Sequence, residues 1–276
     1  MALRYAYNTN GAANHRLGDA IALIADAGYD GVAVTLDHHH LGPMEEGWER
    51  RTEALACDLS ARRLGSVIET GARFLLDPRQ KHEPTLLTAS PEGRARRVAF
   101  LQRAVDIGAM LGAEAVSFWA GVPKPGVDRG IAAAWLREGV ARVLEHAERR
   151  GVAAALEPEP GMLVETLDDW IDLSRDLPTL TLALDLGHCL VTGEREPPAA
   201  VREFKASLGT VAIEDMRRGD HTHLPFGEGD MDIPACLDAL EAVGFPGLVC
   251  VELSRESHRA DTMVPRSLAW LRECRA

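Results

Sequence analysis

Glu157 and Glu252 each close a short apolar run, Ala-Ala-Ala-Leu-Glu157 and Leu-Val-Cys-Val-Glu252, and Asp185 closes a third, Thr-Leu-Ala-Leu-Asp185. Apolar runs without alternation fit strands buried on both faces, as in a parallel sheet covered by helices. If these strands are neighbours, the three carboxylates meet at one rim, where they repel unless a positive charge lies between them. A divalent cation is the natural one: oxygen donors suit Mg²⁺ or Mn²⁺, and added imidazole moves the preference toward Mn²⁺, Co²⁺ or Zn²⁺. The tract His38-His39-His40 reads as metal-binding in composition, but three consecutive residues cannot face one point, so one of them, His38, is expected to enter a pocket. The segment Ile68 to Pro84 carries Arg73, Arg79, Lys81 and His82, and Arg217 and Arg218 follow the seventh apolar run. Such cations are either solvated or a clamp for a phosphate or carboxylate, Arg as a two-pronged donor and Lys as a point charge. Trp119, ending another run, offers an apolar wall for one face of a ligand or packs as a rim aromatic.

The elements that must position these groups repeat on the scale of a βα unit. Strands are expected at Leu3–Tyr7, Gly31–Leu36, Ser66–Glu69, Ala115–Trp119, Val152–Glu157, Leu180–Asp185, Thr210–Glu214 and Leu248–Glu252. Helices are expected near Leu17–Ala27, Gly47–Leu64, Pro91–Leu111, Ile131–Arg150, Leu167–Arg175, Pro197–Leu208, Ile233–Val243 and Asp261–Arg275. Gly28, Gly65, Gly112, Gly151 and Gly244 fall where left-handed terminators are needed, and Pro91 and Pro197 open helices. Eight pairs without a composition break or linker read as one α/β domain over residues 1–276, a single (β/α)8 barrel. A doubly wound open sheet predicts a glycine-rich phosphate turn after the first strand, and Tyr7-Asn8-Thr9-Asn10-Gly11 does not match it. In a barrel, chemistry gathers at the C-terminal strand ends, the positions of the three carboxylates.

The segments Leu156-Glu157-Pro158, Leu184-Asp185-Leu186-Gly187-His188, Ile213-Glu214-Asp215 followed by Gly227-Glu228-Gly229-Asp230, and Val251-Glu252-Leu253 stand in an order that resembles the sugar phosphate isomerase and epimerase family, with its xylose-isomerase-like TIM barrel, in the AP endonuclease 2 superfamily. The resemblance covers most of the chain. It implies that a Glu, an Asp, a His and a second Glu, ending strands five to eight, hold one divalent metal; carried over, Glu157, Asp185 and Glu252 fill three places. The fourth departs from the pattern. Where the family commonly has Val-His-Ile-Lys-Asp or Val-His-Ile-Glu-Asp, this chain has Val211-Ala212-Ile213-Glu214-Asp215, and Ala212 has no donor atom. His221 and His223 are the replacements offered nearby. They also resemble the loop of endonuclease IV, a cousin on the same barrel, that supplies ligands to a multi-zinc phosphodiester-cleaving site. The Asp185 to His188 spacing supplies a zinc ligand in that endonuclease and a substrate contact in the sugar enzymes.

The resemblance therefore implies proton transfer next to a carbonyl in a sugar or cyclitol, through an enediolate, with Glu157 and Glu252 as the acid/base pair and Mn²⁺, Mg²⁺ or Co²⁺ as cofactor. His188, Arg73, Lys81, His82, Arg218, His38 and Trp119 are then the substrate-side candidates. A multi-zinc phosphoester hydrolase is the alternative, with Zn²⁺ on the carboxylates and His188, His221 and His223; a non-catalytic sugar-binding barrel is the third reading, allowed by Ala212. The formal charge of −12 argues against a nucleic-acid partner, since phosphate backbones need clustered Lys and Arg. The expected partner is a small-molecule sugar, cyclitol or sugar phosphate, and a homo-oligomer is compatible with such a barrel. Five widely spaced cysteines without a Cys-x-x-Cys pair fit reduced thiols. With no leader-like start and no run long enough to span a membrane, the expected location is cytoplasmic.

Overall fold

A computed structural model describes residues 2–275. In chain order the elements are β1 (Arg4–Asn8), α1 (Leu17–Ala27), β2 (Gly31–Thr35), α2 (Trp48–Arg62), β3 (Gly65–Glu69), α3 (Pro91–Leu111), β4 (Val116–Trp119), α4 (Arg129–Arg150), β5 (Ala154–Glu157), α5 (Leu167–Ser174), β6 (Thr181–Asp185), α6 (Leu186–Thr192), α7 (Pro197–Glu203), β7 (Leu208–Ile213), β8 (Asp215–Arg217), β9 (Asp220–Leu224), α8 (Ile233–Ala242), β10 (Leu248–Val251) and α9 (Ala260–Glu273). Eight strands close into a barrel in the order β1, β10, β7, β6, β5, β4, β3, β2, and every neighbouring pair is parallel. The expected (β/α)8 TIM barrel is thus the observed fold. All eight C-terminal strand ends consequently open onto one face.

Leu, Ile and Val from both strands and helices fill the annulus between barrel and helices, while the barrel interior holds a smaller buried cluster of Ala6, Ala33, Val67, Leu248 and Cys250. Gly31 is required there, because a Cβ would run into both methyls of Leu248. Leu248 thereby plugs the N-terminal end of the barrel and leaves the C-terminal end as the open one.

Helix ends follow local chemistry. Ser90 caps α3 by accepting from Gly93 N at 3.0 Å with Pro91 behind it, and Asp128 caps α4 by accepting from Gly130 N and Ile131 N. Gly28, Gly112 and Gly151 end α1, α3 and α4 in the left-handed region. Gly65 does not act this way: α2 ends on Arg63, at φ 57°, and Gly65 opens β3 beside Leu248. The helix expected over Pro197–Leu208 stops at Glu203, and the strand expected from Thr210 begins at Leu208. Two further elements lie in segments read as loops, the short helix α6 directly after Asp185 and the antiparallel hairpin β8–β9. Both carry site residues.

Candidate active site

β5, β6, β7 and β10 are consecutive around the barrel, so the carboxylates at or just past their ends form one arc. Trp119 is level with Glu157, and Asp185 with Ala212. Glu252 N donates to Ile213 O at 3.2 Å, which extends the β7–β10 pairing by a residue and sets Glu252 beside Glu214. The arc therefore reads Glu157, Asp185, Glu214, Glu252, and its two end members, Glu157 and Glu252, line a cavity of about 480 Å³. That volume suits a small ligand.

Each member is held by a local device. Asp185 caps α6: its Oδ1 accepts from His188 N at 3.1 Å, and its Oδ2 is buried without a hydrogen-bond partner. The same cap turns the chain so that His188 stands over the arc. Its Nδ1 donates to Pro158 O at 3.0 Å, which leaves Nε2 facing Asp185 Oδ2 at 3.5 Å, Glu159 Oε2 at 3.8 Å and His221 Nε2 at 3.0 Å. Asn10, in the turn after β1, donates Nδ2 to Glu252 Oε1 at 2.8 Å. The hairpin explains the paired histidines: residues two apart on a strand share a face, so β9 presents both His221 and His223 to the cavity. Asp215 anchors the hairpin by accepting from Gly227 N at 2.9 Å and Met231 N at 3.1 Å.

The electrostatics show a surplus of negative charge. Burial, then Glu159, Glu69, Asp185 and Glu252, push Glu157 well above the usual carboxylate range. Burial, then Asp185, do the same to Glu214, and burial with Glu252 raises Glu69 to about 8. Burial would raise Asp185, but His188 and His223 hold it below its ordinary value. Burial and the neighbouring His188 and His223 lower His221 to about 4, so its ring is neutral and able to donate a lone pair. For His223 burial acts downward and is outweighed by Glu214, Glu252 and Asp185, which lift it to about 10.

Such a site fits a cation. Three sets bring one potential ligand atom per residue within 4.8 Å of one another among the described residues: Glu157, Asp185 and His188; Asp185, Glu214 and His223; and His188, His221 and His223. Asp185 Oδ2, both oxygens of Glu214 and His223 Nδ1 are buried without hydrogen-bond partners. Orphaned groups of this kind cost free energy unless something pairs with them. Glu252 belongs to none of the three sets.

Of the substrate-side candidates, Arg73, Lys81, His82, Trp119 and His188 line the cavity. His82 is fixed by its Nδ1 on Gly71 O at 2.7 Å and packs edge-on against Trp119 with ring centroids 5.3 Å apart. Arg97, fully buried, stacks over Trp119 at 4.3 Å. Two candidates lie elsewhere. His38 is exposed, with Nε2 3.5 Å from Phe74 O, while His40 is the buried member of the tract and is used structurally, between Thr9 Oγ1 at 3.0 Å and His15 O at 3.2 Å. Arg218 turns outward, its Nη2 donating to both oxygens of Glu196 at 2.8 and 3.0 Å.

Residues absent from the sequence-based set are Glu69, Glu159, Glu214, Asn10 and Arg255, all but Glu214 on the cavity wall. Glu69 and Glu214 close expected strands just as Glu157 does, so the strand-end rule reaches them as well. Glu159 repeats Glu157 at a spacing of two. Asn10 and Arg255 carry no such signal.

A family profile described as Xylose isomerase-like TIM barrel matches residues 21–274. The chain belongs to this family. The uncharacterized protein MJ1311 of Methanocaldococcus jannaschii is 27% identical over 122 residues, and the match spans 41% of each protein, less than half the relative's length. Among solved structures, the D-allulose 3-epimerase of Methylomonas sp. in complex with D-allulose superposes with a TM-score of 0.75 at 18% identity, covering 98% of this chain and 96% of that one. IolI protein with a bound zinc atom gives 0.75 at 17% identity, covering 99% and 96%. At such identities the likeness concerns the fold.

Proposed function

We propose that this chain is a metal-dependent sugar or cyclitol isomerase or epimerase, working by proton transfer next to a carbonyl. The observation that supports it best is the placement of Glu157 and Glu252 at the two ends of one carboxylate arc, on strands separated by β6 and β7, with the cavity between them. Family membership and neighbours such as the allulose-bound epimerase agree with it. A carbon acid beside C=O is weak, and a divalent cation supplies the positive charge that stabilises the enediolate. Asp185 would hold it, with further donors among the groups gathered around it, Glu157, Glu214, His188 and His223. Of the expected ions, Mn²⁺, Co²⁺ and Zn²⁺ suit this mixed set better than Mg²⁺.

The remaining steps belong to the protein's own groups. Glu252, with Oε1 engaged by Asn10, keeps Oε2 to take or return a proton. Glu157 acts from the other end of the arc as the second proton-transfer group. Return of the proton to the opposite face of the same carbon gives epimerisation; return to the neighbouring carbon gives aldose–ketose isomerisation. Trp119 and Met162 offer apolar cover, and Arg73, Lys81 and Arg255 offer cationic contacts to hydroxyls or to a phosphate. The test is incubation with a panel of ketoses and ketocyclitols in D₂O with Mn²⁺. Deuterium should enter the carbon next to the carbonyl, and do so far more slowly in Glu157→Gln; an unlabelled panel with the wild type would remove the reading.

The convergence of His188, His221 and His223 favours a second reading, a multi-zinc phosphoester hydrolase. Two or more zinc ions per chain together with cleavage of a generic phosphodiester would establish it.

A further inference from the structure

The residue least explained by the proton-transfer chemistry is Glu214. It is fully buried and neither carboxylate oxygen has a hydrogen-bond partner. An unpaired buried carboxylate is strongly unfavourable, and removing its charge is the simplest relief. Yet the surroundings are shaped around this side chain. Gly187, inside the Leu-Asp-Leu-Gly-His segment, leaves room for it, since a Cβ there would collide with Glu214 Oε1. Two other orphaned atoms face the same place: Asp185 Oδ2, whose partner oxygen is committed to the α6 cap, and His223 Nδ1, 3.8 Å from Glu214 Oε2. That separation is too long for a hydrogen bond and leaves space for an ion between the groups. Ligand atoms of Asp185, Glu214 and His223 lie within 4.8 Å of one another.

Position along the chain points the same way. Ala212 pairs with Asp185 in the sheet but has no donor, and Glu214 is two residues on, on the same side of the strand. His223 comes from β9, which folds back after β7.

We infer that Glu214, together with Asp185 and His223, forms the chain's principal divalent-cation site, the carboxylate of Glu214 and the imidazole of His223 standing in for the ligand that Ala212 cannot provide. The donor set, two carboxylates and one imidazole, suits Mn²⁺, Co²⁺ or Zn²⁺. The inference rests on the metal-dependent reading above and specifies which residues satisfy it.

The test uses the full chain stripped with a chelator. Mn²⁺ is titrated calorimetrically, and Co²⁺ is followed by its visible absorption, for the wild type, Glu214→Gln and His223→Gln. The wild type should bind one Mn²⁺ per chain, and each variant should bind at least ~10-fold more weakly, the low end of what even an outer-shell partner costs. The Co²⁺ spectrum should change shape in His223→Gln as an imidazole leaves the shell. Should Glu214→Gln fail to fold, His223→Gln carries the same comparison. Mn²⁺ affinity within threefold of wild type in the folded variants would overturn the assignment and leave the isomerase reading intact. No binding by the wild type would overturn both. Weakened binding in the variants, with no deuterium exchange by the loaded wild type, would sustain the site and sink the isomerase reading.

Discussion

At the scale of single residues, the site depends on which oxygen of each carboxylate is already engaged. Asp185 commits one oxygen to a helix cap and Glu252 commits one to Asn10, so each offers a single free oxygen with a fixed direction. The Asn10 contact is a hydrogen bond to a group that carries charge when it acts as base, worth about 1.5–3 kcal/mol. On the proposed proton-transfer reading, Asn10→Ala is expected to lower kcat roughly tenfold to hundredfold while changing KM much less, because it releases the proposed base and not the substrate. Steady-state kinetics with whichever ketose exchanges deuterium would check this; a KM effect alone would place Asn10 among the substrate contacts instead. Glu157→Gln should lose turnover far more than substrate binding, read by comparing kcat with ligand affinity in a binding assay.

At the scale of elements, the hairpin β8–β9 carries both His221 and His223 and lacks the packing of the barrel strands. Asp215, buried at 1% exposure, ties it down by accepting two backbone N–H groups from the segment that follows β9, and Asp230 N donates to Met216 O at 2.8 Å beside it. Gly229 approaches the same carboxylate so closely that a Cβ has no room. Asp215→Ala leaves those donors unsatisfied, at about 1–3 kcal/mol. The expected outcome is a lower urea midpoint together with weaker Mn²⁺ binding, since the imidazoles are no longer presented. Unchanged metal affinity in the folded variant would show that the hairpin is positioned by something other than Asp215. The long β3–α3 segment is built differently, with Ala72, Phe74 and His82 all at positive φ, a costly conformation for non-glycine residues that the contacts of His82 to Gly71 and Trp119 help to fix.

For the whole molecule, a rim crowded with buried carboxylates should make folding stability depend on the cation. A ligand that binds only the native state at 100 times its Kd stabilises by about 2.7 kcal/mol. Chelator should thus lower the melting temperature and saturating Mn²⁺ restore it, measured by calorimetry or circular dichroism; identical melts would argue against a cation at the rim. A separate pH dependence comes from His40, buried between Thr9 and the His15 carbonyl. Burial, more than its neighbours, lowers its proton affinity in the folded state. Below about 6.5 the unfolded chain takes up a proton that the folded chain refuses, so stability falls as pH drops from there toward the folded value and levels off beneath it. His40→Gln should show a shallower loss of urea midpoint between pH 7.5 and 5 than the wild type. No helix among the described residues is long and apolar enough to cross a membrane.

The sequence by itself determined the barrel and the carboxylate arc. Unbroken apolar runs, helical patterns between them and residues such as Ser90, Pro91 and Gly112 are local signals, and a strand's end is fixed by where its apolar run stops. The strand-end rule that selects Glu157, Asp185 and Glu252 reaches Glu69 and Glu214 equally, so these two were legible without being distinctive. What only the tertiary structure decided was direction and company. His38 and His40 are neighbours of one type in sequence, and burial separates an exposed ring from a structural one. Arg73 and Arg218 are alike in composition, yet one lines the cavity while the other turns outward to Glu196, because a side chain in a loop has no periodicity to aim it. The meeting of Glu214 with Asp185 and His223 depends on barrel closure, on the α6 cap and on a hairpin folding back over the rim. These are contacts between residues distant in sequence, and no local pattern encodes them.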